Sequence, residues 1–273
     1  MRRARAFNVV AFAGALAGLL AALSVISPIM LLPVSARADS RVLGTLAVQP
    51  APEWGQKATA LTISRELWFG TGVMALVTEG WRYVFDRNRG RILVINTRDG
   101  YVVDVSMTAD VPDIVVPGYL ATLGGFQIHG TVAPSLQTKT VLSRECRGYA
   151  VSEWILNGTR HFFDRDRTIY TSAGVPFDWT LNRDLCLWMA SFFNPQMAYF
   201  GGIRSIEGFP MSETDVFTRL GRQVRYGTEV TEIAEAAPPE GIYSAPPGFE
   251  RREKLGERDL TAMRQLLYLI YYF

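Results

Sequence analysis

His161 stands beside Asp164 and Asp166, the one place in this 273-residue chain where an imidazole and carboxylates lie close enough in sequence to share acid–base work. Only two histidines occur, His129 and His161, at spacings that match no zinc pattern. There is no Gly-x-Ser-x-Gly, no His-Glu-x-x-His and no Walker loop. Asp164-Arg165-Asp166-Arg167 reads instead as a charged hairpin turn joining two short strands, His161–Asp164 and Thr168–Thr171. His129, within Gln127-Ile128-His129-Gly130, reads as a loop residue. The chain is therefore expected to be a non-enzyme with no metal and no cofactor.

Cys146 and Cys186 are the two cysteines, and the compartment decides what they do. Met1 is followed by Arg2, Arg3 and Arg5, then by no charged residue until Arg37. Val9 to Leu23 is an unbroken run of apolar and small residues, and Ala36-Arg37-Ala38 closes it before Asp39. A basic start, an apolar middle and a small-residue end make a secretory signal peptide over residues 1–38, cleaved after Ala38. The alternative is an uncleaved helix anchoring the chain in an inner membrane, since the uncharged stretch is long enough to span one. A periplasmic or secreted location follows, and in that oxidising space Cys146 and Cys186 are expected to form one disulfide, worth about 3–4 kcal/mol.

The export segment also explains the charge balance. Four of the 28 basic residues precede Asp39 and none of the 26 acidic ones does, so the remainder carries 24 basic against 26 acidic residues. No basic patch is left for nucleic acid. A hydrophobic fraction of 48% with 20% charged residues excludes a disordered polymer.

Residues 39–57, with Pro50 and Pro52, read as a lead-in. Period-2 alternation then predicts strands at Leu61–Phe69, Trp81–Phe85, Arg91–Asn96 and Tyr101–Met107, with turns at Asn88-Arg89-Gly90 and Arg98-Asp99-Gly100. Asp110 to Leu136 reads as a short helix or loop excursion. Strands resume at Thr138–Arg144 and Tyr149–Leu156, where Asn157-Gly158 marks a hairpin. Leu185, Trp188, Met189, Phe192 and Phe193 recur at helical spacing. The chain closes on Leu266–Phe273, eight consecutive apolar or aromatic residues, too short to cross a membrane as a helix. Alternate residues there resemble the end of a barrel strand; self-plugging or packing along a sheet edge is the expected fate, with peripheral membrane contact as an alternative.

Several short motifs fall in a recognisable order. Cys146-Arg147-Gly148-Tyr149 leads into a strand, Glu207-Gly208-Phe209-Pro210 and Thr228-Glu229-Val230-Thr231-Glu232-Ile233 follow, and Pro246-Pro247-Gly248-Phe249 closes the set. In this the chain resembles the exported lipoprotein-carrier-like proteins of the LolA and RseB type, over roughly Ala58 to Lys254, within a domain expected to span residues 58–257. The resemblance implies an α+β fold in which an incurved antiparallel half-barrel sheet wraps over a few helices, with residues 258–273 as an apolar C-terminal segment. It also implies a cavity for a lipid or lipoprotein acyl chain. Trp188, Met189, Phe192 and Phe193 would then either form the core beneath the sheet or line that cavity, with Tyr83, Phe85, Val103 and Val105 as the opposite wall. An envelope protein-interaction or stress-sensing module using the same sheet is the alternative function.

Overall fold

The computed structural model describes residues 38–49, 61–117, 126–157, 160–191, 200–219 and 222–270. The chain separates into two compact units, residues 1–37 and 38–273, and every described residue belongs to the second. The expected signal peptide thus lies, but for Ala38, outside the described residues.

The second unit is α+β: one large open sheet with few helices. The strands are β1 (Asp39–Gln49), β2 (Leu61–Gly70), β3 (Val73–Thr78), β4 (Trp81–Asp86), β5 (Arg91–Asn96), β6 (Tyr101–Ser106), β7 (Phe126–Val141), β8 (Arg144–Asn157), β9 (Arg160–Ser172), β10 (Phe209–Arg219), β11 (Arg222–Ala236) and β12 (Glu250–Arg252). They form a 12-stranded sheet in the order β12-β6-β5-β4-β3-β2-β1-β11-β10-β9-β8-β7. Every neighbouring pair is antiparallel except β12, which joins β6 in parallel. The helices are α1 (Val111–Ile114), α2 (Thr180–Ser191), α3 (Phe200–Arg204) and α4 (Glu257–Ile270).

Local chemistry builds the β2–β6 meander. Gly90 and Gly100 take φ of 61° and 73°, the left-handed conformation their turns require. The Asn96 side chain secures the second turn by accepting from the Arg98 and Asp99 amides at 3.0 and 2.9 Å. Between β2 and β3 a further hairpin turns at Thr71-Gly72, and a Cβ on Gly72 would stand 2.3 Å from Asn88 Oδ1. The strand it opens, β3, is additional to those expected, because Val73–Thr78 is buried on both faces and lacks clean alternation.

Three expectations are corrected. Residues 39–49 are not a lead-in but β1, held between β2 and β11; Pro50 and Pro52 follow the strand instead of interrupting it. The stretch expected to be a loop or helix excursion becomes the edge strand β7 from Phe126 onward. Arg165-Asp166-Arg167 is no turn: β9 runs straight through it, pairing with β8 and β10 on either side. Alternating charge there is the signature of a strand with two different faces. Of the apolar C-terminal stretch, Leu266 to Ile270 belong to α4, and residues 271–273 lie outside the described residues. Leu260 and Met263, one helical turn apart, already set the helical period and are buried.

The Asn157↔Arg160 pair closes the expected β8–β9 hairpin, while Gly158 and Thr159 lie outside the described residues. Gly208, at φ 91°, lets the chain enter β10 where a Cβ would meet Ser172 backbone at 2.7 Å. On the outer face of β2–β6, Trp68, Ala75, Val84, Ile95 and Val102 are covered by Ile242, Tyr243 and Phe249 of the Pro-rich 237–249 strap. Among the described residues, no helix is long and apolar enough to cross a membrane.

Candidate functional site

Strand register places one continuous set of side chains on the helix-covered face. In β2–β6 that set is apolar: Leu67 pairs with Leu76, Phe69 with Met74, Phe85 with Ile92, Tyr83 with Val94, and Val94 with Val103. Helices α2 and α4 roof it with Leu181, Leu185 and Met189 and with Leu260 and Met263, all in one core cluster. Tyr83, Phe85, Val103, Val105 and Met189, expected to share a cavity, do come together here, each 2% exposed or less, and Trp188 packs against them. Phe192 and Phe193 lie outside the described residues. With the roof in place these residues are a packed core.

The roof is held by polar contacts at its rims. Asp178 caps α2 by accepting from the Thr180 amide at 3.0 Å. Arg87, on the β4–β5 turn, grips that end through Asp178 and Asp184, both at 2.9 Å, and Thr180 Oγ1 at 3.0 Å. At α4, Asp259 accepts from the Gly256 amide and from the Tyr101 hydroxyl, each at 2.7 Å. Burial pushes the Asp259 carboxyl up and the Tyr101 phenol up to about 12. The Arg252 guanidinium lies 3.7 Å from the Tyr101 ring centroid.

The same face changes character across β8–β11. There Glu153, Arg165, Arg167, Glu213 and Asp215 are all buried, and Arg65 of β2 joins them across Gly44, whose added Cβ would sit 3.1 Å from Arg65 Nε. Arg165 Nε donates to Asp215 Oδ2 at 2.6 Å, while Arg167 Nη2 and Nη1 reach Glu153 at 3.1 Å and Glu213 at 3.4 Å. Asp215 stands opposite Arg167 and Glu213 opposite Ile169, so these pairs lie on diagonals of the β9–β10 ladder. Burial pushes the Glu213 carboxyl up to about 7 against the pull of Arg167 and Arg165. Burial likewise lowers the Arg65 guanidinium to about 9, opposed by Glu213 and Cys186. Burial and Arg167 both pull Arg165 down, yet Asp215 and Glu153 outweigh them and hold it above the ordinary arginine value.

None of these charged residues was expected at the site. A signal existed: Arg165-x-Arg167 and Glu213-x-Asp215 are two same-sign alternations of opposite sign, the pattern two paired strands would show. Past the band, Leu187 of α2 and Ile203 of α3 cover a smaller apolar patch of Tyr149, Val151 and Ile169.

The expected acid–base cluster is a surface feature. His161 Nε2 lies 3.0 Å from Asp164, both half exposed, and Asp166 accepts instead from Ser152 Oγ at 2.7 Å. His129 is exposed and stacks on Trp154 at 5.7 Å between centroids. The expected disulfide is also corrected: Cys146 and Cys186 are buried thiols with no bond between them. Cys186 on α2 lies within electrostatic reach of Arg65 on β2, whereas Cys146 is on β8, with β9, β10, β11 and β1 between those strands. Burial pushes the Cys146 thiol up. Among the described residues, no group of three or more His, Cys, Asp or Glu side chains is placed to hold a metal ion.

The chain matches no family model, and no curated protein matches it significantly. Among solved structures it is similar to a Vibrio parahaemolyticus domain described as an outer membrane lipoprotein-sorting protein. The identity is 8% and the TM-score 0.28, over 83% of this chain and 92% of that one. At that TM-score the likeness carries no weight on site or cargo.

Proposed function

We propose that this chain is an exported, periplasmic, non-enzymatic binding protein that holds a lipid, acyl chain or other apolar ligand against the helix-covered face of its sheet. One observation supports this most: the apolar floor of β2–β6, including Tyr83, Phe85, Val103 and Val105, is roofed by two helices tied down through a few polar contacts at their rims. Lifting α2 and α4 would uncover a continuous apolar surface, and a ligand would take the place of Leu185, Met189, Leu260 and Met263. The driving force is burial, at about 0.8 kcal/mol per methylene, so a sixteen-carbon chain supplies on the order of 10 kcal/mol before ordering costs. The N-terminal segment supports export, and the disulfide is no part of this reading.

Native mass spectrometry of protein purified from its host, followed by lipid extraction, tests the proposal. Stoichiometric lipid on the folded protein is expected. A ligand-free protein that also takes up no fluorescent fatty acid would overturn it. The second reading, an envelope protein-interaction module, draws on β7, the exposed edge strand whose Leu136 is fully solvent-accessible. A single co-purifying envelope protein without lipid would favour that reading.

A further inference from the structure

Asp215 is engaged on one side only. Its Oδ2 receives both Nε and Nη2 of Arg165, whereas its Oδ1 is buried and meets no hydrogen-bond donor among the described residues. Thr228, opposite Glu213 on the neighbouring strand and two residues along from the partner of Asp215, has a buried Oγ1 in the same condition. A buried carboxylate oxygen without a donor carries a desolvation penalty with nothing to offset it. The band around it holds charges of both signs, Arg65, Arg165 and Arg167 against Glu153, Glu213 and Asp215.

We propose that this ionic band is the head-group subsite for an amphiphile bearing a primary ammonium, such as an ethanolamine head, whose acyl chains lie on the apolar floor of β2–β6. The inference rests on the binding function proposed above and names its ligand class. An ammonium supplies the N–H donor that Asp215 Oδ1 lacks, in a charge-assisted bond. A purely anionic head brings no donor to Asp215. A quaternary ammonium brings charge but no N–H. A head without charge brings neither.

The test compares short-chain lipids with identical dioctanoyl tails on the full-length protein: phosphatidylethanolamine, phosphatidylcholine and diacylglycerol, each displacing a fluorescent fatty acid. Phosphatidylethanolamine is expected to bind about tenfold or more tightly than the other two, the scale of one charge-assisted hydrogen bond. Asp215→Asn is expected to erase that preference while keeping displacement by diacylglycerol. Equal binding of all three lipids to the wild-type protein would overturn the head-group subsite and leave the apolar site standing. No displacement by any of them would overturn both. The wild-type series decides the matter even where Asp215→Asn fails to fold.

Discussion

The two halves of the helix-covered face obey one rule of strand geometry and fill it with opposite chemistry. From Leu67 of β2 through β6 the residues facing the helices are apolar; across β8–β10 the same face carries Glu153, Arg165, Arg167, Glu213 and Asp215, which are buried too. An apolar floor is indifferent to what lies on it, provided water is excluded. A buried ionic band is not, because each charge must face an opposite one or a donor. Under the proposed binding function, the apolar half would supply affinity without discrimination, and the charged half would restrict what can be bound and how it lies.

The sharpest way to break this contrast is to remove one member from each half. Arg167→Ala leaves Glu153 and Glu213 buried without their shared guanidinium, and is expected to cost about 3–5 kcal/mol of unfolding free energy. Leu76→Ala, on the apolar side, is expected to cost about 2–5 kcal/mol through transfer and cavity terms. The two differ in how they can be rescued. Adding Glu213→Gln and Glu153→Gln to Arg167→Ala is expected to recover much of the loss, whereas no polar change elsewhere recovers Leu76→Ala. Urea unfolding of the single and combined variants checks this, and failure of the glutamine rescue would mean that packing, not charge balance, dominates the band.

The charged half should also respond to pH, through Glu213. Burial raises the Glu213 carboxyl from 4.5 to about 7, so the folded state holds that proton more tightly than the unfolded chain. A carboxyl shifted in this direction stabilises the fold at low pH, and the contribution is lost as pH rises from about 4.5 through about 7. Wild-type protein is therefore expected to lose stability relative to Glu213→Gln between pH 5 and pH 7.5. Unfolding midpoints for the two proteins across that range would show it; parallel pH profiles would remove Glu213 as the titrating group.

These halves differ in legibility for the same physical reason. Tyr83, Phe85, Val103 and Val105 could be assigned to one wall because alternation is local and the turns at Gly90 and Gly100 fix register within a few residues. The meaning of Arg165 and Arg167 depends on Glu213, 46 residues beyond Arg167, and on a strand pairing that nothing local announces. Taken alone, Asp164-Arg165-Asp166-Arg167 has the composition of a turn. Cys146 and Cys186 misled for a related reason, since compartment and spacing say nothing about which strands intervene. Leu266–Phe273 is uniformly apolar and carries no period of its own, so the helix had to be read from Leu260 and Met263 before it.

The smallest expected effect concerns the roof that both halves share. Arg87 ties the start of α2 to the β4–β5 turn, but its partners Asp178 and Asp184 are half exposed, so Arg87→Ala is expected to cost only about 1 kcal/mol. If that loss falls on local opening of α2 and leaves the sheet alone, it multiplies the population with an uncovered floor about fivefold. Hydrogen exchange should then accelerate in Thr180–Ser191 and stay unchanged in β4 and β5. Uptake of a fluorescent fatty acid should accelerate by a similar factor while the head-group preference is retained, because Arg87 touches neither the apolar floor nor the ionic band. Faster exchange without faster uptake would show that α2 is not the element that opens, and would shift that role to α4, held by Asp259 and Tyr101.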